Sequence, residues 1–160
     1  MKKIRGCAVD QIIIADDFFE AYKRCLEGKN IHKDECGGMV GNIVAIPAFV
    51  NGLFACELYF KYLLGNKIKI IDKKERHDLK KLYDILDDDI KDELKEVKCN
   101  SEYALEKLLD DIGDGFKVWR YFFEDGNEKF GDKYPFLYTD SFVKTYLPVI
   151  KDITHRYYDE

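Results

Sequence analysis

Proline is scarce in this 160-residue chain, with only Pro47, Pro135 and Pro148, which excludes a proline-rich extended or disordered architecture. Cysteine is present but never in a CxxC pair. The five cysteines, Cys7, Cys25, Cys36, Cys56 and Cys99, are odd in number and scattered, which fits reduced thiols in a cytoplasmic protein better than a disulfide framework. Long apolar runs are also missing. The longest, from Ile43 to Cys56, is interrupted by Asn51 and Gly52 and ends at Glu57, short of the roughly 20 apolar residues a spanning helix requires. No membrane role is therefore expected. The N-terminal MKKIRG soon meets Asp10, Asp16 and Asp17 with no sustained apolar segment after it, so it does not have the form of a signal peptide.

Catalytic signatures are equally absent. There is no nucleophile elbow, no His-Glu-x-x-His, no dinucleotide fingerprint and no phosphate loop, since Gly37-Gly38-Met39-Val40-Gly41-Asn42 lacks the Gly-Lys-Ser/Thr ending. His32 and Cys36, with Cys25 upstream, have no fourth ligand at a familiar zinc spacing. Neither metal nor cofactor is expected. The formal net charge of −5 removes any global attraction to phosphate backbones, so a nucleic-acid contact would have to come from a local patch.

What the chain does have is amphipathic helical pattern and enough apolar residues, 46% of the total, to form a core. A chain of this length buries roughly two-thirds of the surface its unfolded form exposes, so one domain over residues 1–160 is expected. The first pattern sets Ala15, Phe18, Phe19, Tyr22, Cys25 and Leu26 on one face, with Gly28 as its stop. Pro47 suits the first turn of a second helix, apolar nearly all round from Phe49 to Leu64, and therefore central. Ile68, Ile70 and Ile71 alternate with Lys67, Lys69 and Asp72, but an isolated strand is unstable, so this segment is expected to be an ordered connector.

Leu79, Leu82, Tyr83 and Leu86 mark a third helix, and Ile90, Leu94 and Val97 a short acidic fourth. Asn100 and Ser101 are capping residues for a fifth helix carrying Leu105, Leu108, Leu109, Ile112, Phe116, Trp119 and Phe123, with Gly113 and Gly115 weakening its middle. After an aromatic, loop-like segment from Glu128 to Tyr138, a last helix from about Asp140 to Tyr158 turns Phe142, Tyr146, Val149, Ile150 and Ile153 inward, with a kink expected at Pro148. The fold class is all-α, a bundle of five or six helices.

Three polar features fall where apolar residues belong. Glu57 interrupts the most apolar helix one turn before Lys61, His77 opens the third helix, and Arg120 and Glu124 lie one turn apart beside Trp119. A buried carboxylate needs a cationic partner, and Arg120 is a candidate able to hold Glu57 with two parallel hydrogen bonds. The cluster is either a network that fixes helix register or a site in which His77 acts as acid or base and Arg120 clamps a phosphate. His77 or Asp78 also has the simpler option of capping the third helix. A basic run with Lys67, Lys69, Lys73, Lys74, Arg76, Lys80 and Lys81 is either a solvated face or a nucleic-acid contact. Within it, Arg76, Lys73, Lys74 and Lys80, together with Lys61, are the candidate ligand-binding residues. His155-Arg156 reads as a solvated last turn that favours the helix dipole.

The segment Phe54-Ala-Cys-Glu-Leu-Tyr-Phe-Lys-Tyr-Leu-Leu64, followed by His77-Asp-Leu-Lys-Lys-Leu-Tyr-Asp-Ile-Leu86, resembles the HEPN superfamily, in which a Glu-bearing apolar helix precedes a His-Asp-Leu that opens the next. Phe116-Lys-Val-Trp-Arg-Tyr-Phe-Phe-Glu124 is similar to a later segment of one HEPN-like branch. The resemblance implies a helical bundle that forms homodimers and works on RNA or nucleotides in bacterial stress or defence systems. Many members are metal-independent ribonucleases with an Arg, four to six residues, then a His. Here Arg24 and His32 are separated by seven residues, Arg76 and His77 are adjacent, and no His closely follows Arg120. The resemblance thus implies a binding or dimerising module without the usual nuclease motif. The alternatives are a variant ribonuclease using His77, Arg120, Glu57 and Glu124, or a structural subunit of a larger complex docking through an apolar patch around Tyr134, Phe136 and Tyr138.

Overall fold

The structure is a computed structural model that describes residues 5–27, 45–98, 104–113, 115, 119 and 135–159. Among these residues there are six α-helices and no strand: α1 (Arg5–Glu27), α2 (Ala45–Leu64), α3 (Leu79–Asp84), α4 (Asp88–Lys95), α5 (Leu105–Ile112) and α6 (Pro135–Asp159). The chain is an all-α helical bundle, as its periodicity requires.

Helix α2 is the centre. It packs along α1, against α6 and against α3, and it buries Ala48, Phe49, Leu53, Ala55, Cys56, Tyr59, Phe60 and Leu64 over about half of its circumference, while Val50, Phe54 and Leu58 on the other half are partly buried. A helix apolar on every side gains most from being enclosed, since each large side chain removed from water contributes about 1.5–3 kcal/mol. Helix α1 covers one side with Ile12, Ala15 and Tyr22, and Phe18 meets Phe54 edge-on with ring centroids 4.5 Å apart. Helix α6 covers another with Phe142, Val143, Tyr146, Leu147, Ile150 and Ile153. Close approach of α2 and α6 depends on Gly52, where an added Cβ would lie 2.5 Å from Cγ1 of Val143. Helix α2 ends at Gly65, whose φ of +49° is the left-handed conformation that terminates helices at low steric cost.

The connector after α2 follows a helical period and not a strand period. Residues Gly65–Ile70 form a 3₁₀ turn, and the Ile71 amide donates to the Ile68 carbonyl at 3.2 Å. Ile68 and Ile71 therefore face the core while Ile70 is 76% exposed. Two expected boundaries also differ. Helix α6 begins at Pro135, five residues before Asp140, because a proline is pre-organised for a first helical turn and loses nothing there. Helix α5 is bounded by Ala104 and Gly113, and does not run unbroken from Asn100 and Ser101 to Phe123. The residue at its C-terminal boundary, Gly113, is a poor helix former and its carbonyl accepts from the Leu79 amide at 2.9 Å. Pro148 sits within α6 on its exposed side, so the hydrogen bond it cannot donate is lost next to water. Trp119 is buried, donates its indole N–H to Thr139 at 3.0 Å and packs on Phe49.

Candidate functional site

The interruption of α2 by Glu57 leads to a cluster between α2 and the segment that precedes α3. Glu57 is fully buried. Its Oε1 accepts from the Lys61 ammonium one turn later and faces Nδ1 of His77 at 2.9 Å, while Oε2 has no hydrogen-bond partner among the described residues. The ammonium contact marks Glu57 as an ionised carboxylate, which only accepts hydrogen bonds. His77 must therefore carry its proton on Nδ1. The two donors on Oε1 offset part of the cost of burying this charge, and the unsatisfied Oε2 leaves the rest.

The position of His77 is set by a chain of local caps. The Asp72 carboxylate accepts from the Lys74 amide at 2.9 Å, and the Arg76 Nε donates back to the Ile71 carbonyl at 3.1 Å. Asp78, not His77, caps α3, accepting from the amides of Lys80 and Lys81 at 2.9 and 3.2 Å. Gly113 lets α5 approach this cap, since a Cβ there would lie 2.8 Å from the Asp78 carboxylate. The result is an imidazole anchored from below whose side chain is still 43% exposed.

The candidate ligand-binding lysines divide into two groups. Lys61 is committed to Glu57, and Lys80 pairs with Asp84 at 2.5 Å and reaches Asp110 at 4.0 Å; the hydrogen bond to Asp84 holds the Lys80 ammonium above its usual pKa, against the opposing effect of burial. Elsewhere in the basic run, Lys67 pairs with Asp87 and Lys81 with Glu75. Lys73 and Lys74 lie exposed in the 3₁₀ turn beside Arg76. Much of the run's positive charge is thus balanced locally, while Lys73 and Arg76 precede His77 in the same short segment. Arg120 and Glu124 lie outside the described residues, as do His32, Cys36 and the side chains of Tyr134 and Phe136. Tyr138 is partly buried against the core.

A second polar cluster has no counterpart in the sequence reading. Asp16 of α1 accepts from the Tyr59 hydroxyl at 2.5 Å, faces Nε2 of His155 at 3.0 Å and has the Lys151 ammonium at 3.4 Å. Burial raises the Asp16 pKa, but the hydrogen bonds from Tyr59 and His155 and the Lys151 charge outweigh it and hold the carboxyl below its usual value. Burial, then the Asp16 contact, pushes the Tyr59 phenol far upward. His155 is therefore a tie between α1 and α6, not only a solvated last turn. The one local sign of it is that Tyr59, like Glu57, is a polar-tipped residue on an otherwise apolar helix. Cys56 is fully buried and burial pushes its thiol pKa up, which leaves it a packing residue.

Among the described residues no group of three or more His, Cys, Asp or Glu side chains is placed to hold a metal ion, and no helix is long and apolar enough to cross a membrane. No protein family, curated protein or solved structure matches the chain.

Proposed function

We propose that the chain is a HEPN-like helical module that binds a phosphate-bearing ligand, RNA or a nucleotide, on the face formed by His77, Lys73, Lys74 and Arg76, and that it works as a homodimer in a bacterial stress or defence process. One observation carries the ligand reading: His77 is half exposed, yet its inner nitrogen is held by a fully buried carboxylate. A histidine needed only for packing would not require a charge to be buried behind it, a placement that costs several kcal/mol before its partners are counted. Cationic side chains beside an oriented imidazole suit a phosphate oxygen.

Binding of a short single-stranded RNA, followed by fluorescence anisotropy, tests this reading. Affinity should fall steeply with salt, as counterion release demands, and Lys73→Glu combined with His77→Ala should weaken it at least about tenfold, since each lost phosphate contact removes on the order of 1 kcal/mol or more. Absence of binding at low salt would refute the reading.

The same contact favours a second reading, a ribonuclease. With Nδ1 held, Nε2 is free to take the proton of a ribose 2′-hydroxyl while that oxygen attacks the adjacent phosphorus and the 5′-oxygen leaves with a proton from an acid. Arg120 and Glu124 are the candidates for phosphate clamp and acid. Incubation with varied RNAs in excess EDTA separates the two: cleavage lost in folded His77→Ala and Arg120→Ala variants supports the nuclease, and binding without cleavage supports the module.

A further inference from the structure

Resting on that reading, we infer that ligand binding at His77 is coupled to proton uptake at Nε2, so that the site recognises a phosphodiester chiefly when the imidazole is protonated. The argument starts from Glu57. Because the buried carboxylate accepts from Nδ1 at 2.9 Å, Nδ1 keeps its proton in both the neutral and the charged ring. The proton that comes and goes is the one on Nε2, the ring nitrogen that Glu57 does not hold, in a side chain that is 43% exposed. In the neutral ring Nε2 is an acceptor and offers a phosphate oxygen nothing. In the charged ring it is a donor bearing positive charge, and its hydrogen bond to a phosphate is charge-assisted.

The surrounding charges do not remove this dependence. From α2 come Glu57 and Lys61, which balance one another. In the connector Arg76 and Lys73 are positive, Glu75 is paired with Lys81, and Asp78 is engaged by backbone amides. From α3 and α5 come Lys80 and Asp110, which face each other. The neutral-ring cluster of Glu57, Lys61 and His77 carries no net charge, and protonation of the ring makes it +1 on the outer edge. His155 provides an internal contrast, because Asp16 holds its Nε2 and the neutral ring therefore carries its proton there. Glu57 is in this sense a positioning residue: it selects which edge of His77 meets the ligand.

The test uses the full chain and a thymidine dinucleotide, which has one phosphodiester, no 2′-hydroxyl and no titrating phosphate between pH 5.5 and 8. Long-range proton–nitrogen spectra, assigned with His77→Gln, should show neutral His77 protonated at Nδ1 and neutral His155 protonated at Nε2. The dinucleotide should shift Nε2 of His77 at low pH, and its affinity should fall on the order of tenfold from pH 5.5 to 8, because a protonated Nε2 donates to a phosphate oxygen and a neutral one does not. In His77→Gln that fall should be lost. Neutral His77 protonated at Nε2, or binding of equal strength at both pH values, would overturn the inference while leaving the phosphate site in place. No dinucleotide binding at any pH would overturn both.

Discussion

Replacing Gly52 with alanine tests the packing that holds the central helix. In an exposed helix interior Gly→Ala stabilises by about 1 kcal/mol. At Gly52 the added Cβ would stand 2.5 Å from Cγ1 of Val143 and 3.3 Å from Cδ2 of Tyr22, whereas carbon atoms prefer about 3.5–4.0 Å. Neither neighbour yields easily: both are buried, and a valine in a helix has one strongly preferred rotamer. Helices α2 and α6 must separate or Val143 must leave its rotamer, a strain of about 1–3 kcal/mol. The propensity gain offsets part of this, leaving a net loss of up to about 2 kcal/mol where the helix rule alone predicts a gain. Urea unfolding followed by circular dichroism should show a lower midpoint with an unchanged slope. Val143→Ala alone should cost about 2 kcal/mol for its buried methyl groups, but in the double variant the alanine Cβ fills the space they leave. The double variant should therefore be more stable than the sum of the two changes by at least about 1 kcal/mol. A raised midpoint for Gly52→Ala, or two strictly additive changes, would refute the contact between α2 and α6.

Three further outcomes are expected. The Asp16 carboxyl is held below its usual value in the folded state, so its contribution is present above the ordinary carboxylate range near pH 4 and is lost as pH falls through the lowered value; acid unfolding of Asp16→Asn should accordingly depend less on pH below about 4 than that of the wild type. Asp78→Ala removes the acceptor for two amides at the start of α3 and should lower stability by about 1 kcal/mol in chemical denaturation, with Asp78→Ser recovering most of the loss. Lys61→Met leaves Glu57 with His77 as its remaining partner among the described residues and should cost about 3 kcal/mol, much of it regained in Lys61→Met/Glu57→Gln, because the penalty comes from the unpaired buried charge.

Sequence by itself determined the helices and their buried faces. Apolar residues at helical spacing name the inward sides of α1, α4, α5 and α6, and the all-round apolar character of α2 makes it central, because both follow from a fixed 3.6-residue period. It also supplied the contact of Glu57 with Lys61 within one turn and narrowed the α3 cap to His77 or Asp78, of which the structure uses Asp78. Tertiary structure decided everything that joins distant segments. His77 reaches Glu57 across 20 residues and His155 reaches Asp16 across 139, and no local pattern encodes either distance. The isoleucines from Ile68 to Ile71 fit a strand period as well as a tighter helical turn until packing against the core selects Ile68 and Ile71. Local sequence specifies which face of a helix is apolar; which polar groups then meet depends on how the packed helices are positioned along and across one another, and that is set by the fit of side chains such as Val143 against Gly52.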